Sequence, residues 1–174
     1  MEKILSLLFL CNSVCAFAGG PWSQDKHHGY VQLSGTYIGY DHRYINNQNF
    51  SDIMHKVTDV TLQGYCEYGI SNRFTLIANI PFKLQNIQPN NAIDSSDTRY
   101  YNGSLTGFGN ISVSGKYRFL NKKLVAAAHL RIDARSFAEN QSIGLRTGYP
   151  EYGIAPSLSL GRGGDRWFAY AEAG

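Results

Sequence analysis

Disulfide bonding is the first thing this sequence cannot supply. Two of its three cysteines, Cys11 and Cys15, fall within residues 1–18, leaving Cys66 alone in the remainder. A disulfide-stapled secreted domain is therefore excluded. Cys66 lies among apolar positions and reads as a small hydrophobe rather than a reactive thiol. Long hydrophobic runs are missing too. The apolar stretch at residues 4–10 falls far short of the ~20 residues a transmembrane helix needs. Neither sign of charge dominates: a net charge of +3 is scattered along the chain, which excludes the concentrated basic patch of a nucleic-acid binder.

Catalytic and metal signatures are also lacking. Neither a G-x-S-x-G elbow nor an H-E-x-x-H helix is present. His27 and His28 are adjacent in an extended, solvated segment, so their side chains point opposite ways and no third ligand lies nearby. His129 and Asp133 share a predicted strand face, but at ~3.3 Å per residue they stand too far apart for a direct hydrogen bond. The expectation is a protein without catalytic residues, metal, cofactor or nucleic-acid partner.

What the chain does have is alternation. In residues 59–85, Phe74, Leu76, Ala78, Ile80, Phe82 and Leu84 occupy every other position, with Thr75, Asn79, Lys83 and Gln85 between them. Val60, Leu62, Cys66 and Tyr68 repeat the pattern against Asp59, Thr61, Gln63 and Glu67. Period two is the signature of a strand with one apolar and one polar face. The Gly69-Ile70-Ser71-Asn72-Arg73 stretch between the halves supplies turn residues. The same reading gives a first strand near residues 29–42, a fourth ending at Phe119, a fifth over 124–135, a sixth over 152–160 and a seventh from Trp167. Residues 43–58, 86–107 and 136–150 read as polar loops. Pro81 and Pro156 interrupt otherwise continuous patterns and predict local ladder gaps.

Alternation suits a soluble sandwich, which turns its apolar face inward, and a membrane barrel, which turns it outward. Residues 1–18 favour export: Lys3, the apolar core at 4–10 and Ala16-Phe17-Ala18 make a secretory signal. Predicted loops of about 15–20 residues alternate with turns of about 4–5, as in outer-membrane barrels with long outer loops and short periplasmic turns. Runs of about 10–12 residues can cross a bilayer at a ~45° tilt. Tyr37, Tyr40, Tyr68, Phe74, Phe82, Tyr117, Phe119 and Trp167 lie near strand ends, where interfacial girdles are expected. The expected fold is all-β, an antiparallel up-and-down transmembrane barrel. Residues 1–18 are the signal, 19–29 a polar periplasmic lead and 30–174 the strands. Its lumen is expected to carry Glu67, Lys83, Lys116, Arg118, His129, Arg131, Asp133 and Glu172. Such charges can pair across strands in a hydrated interior or select solutes in a pore.

Three segments, EYGISNRFTL, NIPF and GFGNISVSGKYRFL, resemble a family of outer-membrane proteins associated with the meta-pathway of phenol degradation, transporter-like in character. The likeness spans roughly residues 28–174, with Asn110 where that family's segment usually has Asp. It implies an outer-membrane channel or transporter for small hydrophobic or aromatic solutes, with lipid as its other partner, and transfers no binding residues. The alternative is a non-conducting structural or adhesive barrel acting through its long outer loops. About seven strands and an ending at Glu172-Ala173-Gly174, without a terminal aromatic, lead us to expect the N-terminal portion of a larger barrel. Open edges in lipid would leave backbone groups unsatisfied at several kcal/mol each.

Sidedness on the fifth predicted strand is testable. Ala128→Arg is expected to cost about 2–4 kcal/mol, the penalty for a cation at the bilayer midplane, and His129→Arg close to none. Denaturant unfolding in lipid checks both. A sandwich predicts the same ranking, so the class is decided by whether a probe at position 128 meets lipid-soluble quenchers and one at 129 water-soluble reagents.

Overall fold

The structure, a computed structural model, describes residues 20–46, 49–89, 102–164 and 167–174. The expected signal at 1–18 and most of the loop after the third strand lie outside these residues. Ten strands are present: β1 (Gly29–Asn46), β2 (Asn49–Ser71), β3 (Phe74–Pro89), β4 (Gly103–Phe108), β5 (Ser112–Asn121), β6 (Val125–Asp133), β7 (Glu139–Asn140), β8 (Leu145–Arg146), β9 (Gly153–Gly164) and β10 (Trp167–Ala173). The described residues contain no helix. All but β7 and β8 join one antiparallel sheet in the order β1-β2-β3-β5-β6-β9-β10, curled into a half-barrel, with β4 also on β3. Each strand pairs with its neighbour in sequence, as an up-and-down meander requires. The edges are β1 and β10.

β4 and β5 are two pieces of one strand. β4 pairs with Phe82 to Ile87 of β3 and β5 with Phe74 to Asn79, so both run along the same edge. The break between them faces Pro81, whose missing N–H cannot continue a ladder; the Gly109 N–H instead donates to the Pro81 carbonyl at 2.9 Å. The gap expected at Pro81 is therefore present, and the wall is seven strands wide. Pro156 pairs with Leu130 without a register shift. The gap expected at Pro156 is therefore absent from the β6 side of its strand.

The register carries the alternation across the whole sheet. On one face lie Leu33, Leu62, Ile80, Val113, Leu130 and Leu158, all exposed, with Leu33 84% and Ile154 73% accessible. On the other lie Asp59, Glu67, Thr75, Ser112, Lys116 and Ser159, all buried. Residues 20–28 touch β2, β3, β5, β9 and β10 from this polar side, so it is the inside of the curl. The apolar set is on the outside. Cys66 belongs to that outer set and is exposed.

Two loop expectations need correction. Residues 43–46 and 49–58 are strand rather than irregular: β1 and β2 continue with register shifts between Tyr40 and His42 and between Tyr44 and Asn46. Backbone pairing does not need an apolar face, so a ladder can outrun the alternation that revealed it. The predicted loop at 86–107 is likewise flanked by the end of β3 and by β4. Strict alternation of long and short connections therefore does not hold, because β1 and β2 are separated by residues 47–48 alone.

The third expected loop is present but folds inward. Thr147 is almost fully buried, donates to the Phe108 carbonyl at 2.6 Å and accepts from Ala138 N–H at 2.8 Å. A Cβ on Gly107 would stand 2.6 Å from that of Ala138, so the glycine admits the loop against the sheet. Leu145 completes a small core with Val57 and Ile87, flanked by Leu105 and Ile143. Leu145→Ala is expected to cost about 2–3 kcal/mol, the lower part of the range for a buried leucine, and to speed tryptic cleavage after the already exposed Arg146 by loosening the loop around it. Denaturant unfolding and limited proteolysis check the two effects.

Candidate functional site

The concave face is a polar band covered at its ends by two segments. At the hairpin-turn end, residues 20–28 lie across the strands. Ser23 Oγ donates to the Asn72 carbonyl at 3.1 Å and Lys26 N–H to Asn72 Oδ1 at 3.0 Å. His27 N–H donates to the Gly69 carbonyl at 2.8 Å, while Gly69 N–H returns a bond to the His28 carbonyl at 2.9 Å. Gln24 N–H donates to Thr75 Oγ1 at 2.9 Å. Trp22 meets Phe168 and Tyr170 edge-on, with ring centroids 5.8 and 6.1 Å apart. Edge-to-face contact suits the positive rim and negative face of aromatic rings. The expected polar lead is thus a docked segment at 20–24, while residues 25–28 remain exposed.

Beneath it lies an ionic cluster. Lys116 Nζ donates to the Trp22 carbonyl at 3.0 Å and stands 3.9 Å from Glu67 Oε1. Glu67 also accepts from Gln24 Nε2 at 2.8 Å and from the Tyr65 hydroxyl. The two residues are 1% and 2% exposed. Burying charges is tolerable only when they are paired and hydrogen-bonded; here the two charges face each other, Glu67 accepts two hydrogen bonds and Lys116 donates one. Register places Thr75, Lys116, His129 and Ser157 in one row across four strands; Glu67, opposite Ile77, stands one inward position off that row on β2, and Lys116 reaches it diagonally.

All eight residues expected in the lumen share this face, but they fall in four places on it. Glu67, Lys116, His129 and Glu172 gather at its centre, where Ser159 Oγ lies 3.1 Å from His129 Nε2 and Ser157 Oγ donates to Glu172 at 2.6 Å. Arg131 and Asp133 adjoin them, 3.3 Å apart along β6, and Arg131 is the more exposed. Arg118 sits toward the turn, bonding the Asn72 carbonyl. Lys83 stands apart near the infolded loop, 3.0 Å from Asp59, which also accepts from Gln85 at 2.7 Å and Thr61 at 2.8 Å. Sequence reasoning missed Asp59 and Tyr65 as partners, although parity with Glu67 marks both. Nothing periodic marks Gln24 or Trp22.

Between the two covers lies a hollow of about 630 Å³ bordered by Tyr65, Asn79, Ser114, Lys116, Arg131 and Glu172. That volume suits a small organic solute. The hydroxyl, amide and charged groups offer hydrogen bonds to it, and the groups of ≥ 3 His, Cys, Asp or Glu that could hold a metal are absent among the described residues. Comparison with protein-family models and with curated proteins finds no match for this sequence.

The Lys116–Glu67 contact makes a direct prediction. Lys116→Met strands a buried carboxylate and is expected to cost about 3–5 kcal/mol, whereas adding Glu67→Gln is expected to restore most of the loss. A double-mutant cycle by denaturant unfolding checks it. Equal and additive losses would show that the two charges do not interact.

Proposed function

We propose that this protein forms part of an outer-membrane β-barrel that admits small solutes through its polar interior, after export by its N-terminal signal. The observation that carries the reading is the inverted burial of the sheet. A soluble sandwich hides its apolar face and wets its polar one. Here Leu33, Leu62 and Ile154 are exposed, while Glu67, Lys116 and Ser159 are buried. Lipid is the solvent that suits the first set, and a closed or partly hydrated lumen suits the second.

Dimensions support it. The outward series from Phe74 to Leu84 spans ten residues, about 33 Å along the strand and about 25 Å along the barrel axis at a ~40° tilt, the height of an outer-membrane apolar band. Aromatics border both ends: Tyr68, Phe74 and Tyr117 near the turns, with Phe82 against Phe108 at 5.4 Å toward the other. In lipid the free edges β1 and β10 would need pairing, so the wall is closed by further strands to give the complete barrel. Hydrophobic or aromatic solutes are the class implied by the family resemblance. The hollow adds that a solute would also meet Arg131 and Glu172, which suits a small molecule with a polar end.

A structural or adhesive role is supported by one feature: β1 and β2, with 18 and 23 residues, outrun the 9 to 10 of β5 and β6. Such a hairpin projects beyond the wall and offers a contact surface. Planar-bilayer recording of protein extracted from its own membrane separates the readings. The channel reading expects discrete conductance steps, retained when the hairpin tip at 42–52 is shortened. A folded barrel that never conducts, and loses partner binding on that shortening, would assign the function to the hairpin.

A further inference from the structure

The two covers of the concave face are held differently. The infolded loop at 134–150 is tied to the wall at both ends and buries Leu145 against Val57 and Ile87. Asn110 adds bonds to Ala134, donated to its carbonyl, and to Tyr149 N–H at 2.6 Å. Residues 20–28 join the wall only through β1, form no part of its sheet and contribute no residue to that core. They reverse into β1 at His27, whose φ of 64° is a conformation non-glycine residues adopt at some cost. A segment outside the sheet, docked by hydrogen bonds, edge-on aromatic contacts and the one buried ring of Pro21, with residues 25–28 exposed and a strained turn at its end, is the cover that can leave.

Two glycines show that the wall is shaped to receive it. A Cβ on Gly69 would stand 2.0 Å from the Asp25 carbonyl oxygen, and one on Gly161 would stand 2.7 Å from the Pro21 ring. Neither glycine has a positive φ, so neither is needed for its own backbone conformation. Their missing side chains leave room for the segment to lie directly on β2 and β9. Its Trp22 carbonyl then supplies a bond to Lys116 that no strand provides.

We propose that residues 20–28 are a releasable strap closing the turn end of the barrel interior, seated on Gly69 and Gly161 and latched by Lys116. Its gating consequence rests on the channel reading; its seating does not. Docked, it covers Thr75, Glu67 and Lys116. Released, it uncovers an ion pair at the mouth of the polar band and widens the route into the hollow.

Gly161→Ala and, separately, Gly69→Ala test this, because each disturbs the seat while leaving the segment's sequence intact. In a Cys66→Ser background, Thr75→Cys reports the cover through its reaction with a membrane-impermeant thiol reagent, followed by peptide mass spectrometry at residue 75. Protection is expected in the parent, with modification on the order of tenfold faster in either glycine variant, the factor that about 1.4 kcal/mol of lost docking represents. Conductance is expected to rise several-fold in the same variants. A crosslink between Ser23→Cys and Asn72→Cys is expected to return both readouts to the closed level until reduced. Equal modification rates with the strap crosslinked, free and displaced would overturn the proposal. Faster modification without conductance in any form would keep the strap and discard the channel.

Discussion

Lys116 and Glu67 face each other inside the curl with almost no access to solvent, and much of the concave face serves to make that tolerable. Isolated, either charge would cost several kcal/mol to bury. Tyr65 and Gln24 occupy the carboxylate and the Trp22 carbonyl occupies the ammonium, so both ions keep hydrogen-bond partners. Two of the three helpers come from the segment ahead of β1. Docking of that segment and burial of the ion pair are therefore one event. The seat formed by Gly69 and Gly161 is its steric condition.

The same logic orders the remaining interior. Asp59 gathers Lys83, Gln85 and Thr61; Arg131 meets Asp133; Arg146 meets Glu139 at 2.6 Å. Charges of both signs lie along the band, some in local neutral pairs and others, such as Arg118 and Glu172, bonded to a carbonyl and a serine hydroxyl, rather than in a field of one sign. Such a lining provides hydrogen bonds without strongly repelling either ion type. Among the described residues, inward apolar packing includes the cluster under the infolded loop, where Leu145 and Ile87 meet, the contacts of Trp22 with Phe168 and Tyr170, and the buried Ile77 and Ala127. Elsewhere the strands present their apolar side chains outward, so the fold depends on what surrounds it as much as on what it encloses.

Much of the wall was legible because strand parity needs only a local pattern. Phe74 to Leu84 identify their faces without knowledge of any neighbour, and Pro81 marks its own gap. Grouping within the polar face was not legible, because Thr75, Lys116 and His129 come together only through the registers of two ladders. The continuation of β1 and β2 past Tyr40 was missed because its apolar residues, Tyr44, Ile45, Phe50, Ile53 and Met54, do not keep a strict two-residue period. The docked segment was missed for the opposite reason: Gly20, Pro21 and Trp22 have no period, and their burial is set by glycines far away in sequence. Ile143 and Leu145 looked like isolated apolar residues in a polar loop until Val57 and Ile87 were brought against them.

The central claim is that the convex face is a lipid face. Spin labels placed singly at successive positions of β3 from Thr75 to Leu84, in protein reconstituted into bilayers, test it through their collision rates with oxygen and with a water-soluble nickel chelate. The account predicts a two-residue oscillation, with oxygen contact greatest at Leu76, Ala78, Ile80 and Leu84 and least at Thr75, Asn79 and Lys83. Preferential nickel access at the first set, or no oscillation at all, would contradict it.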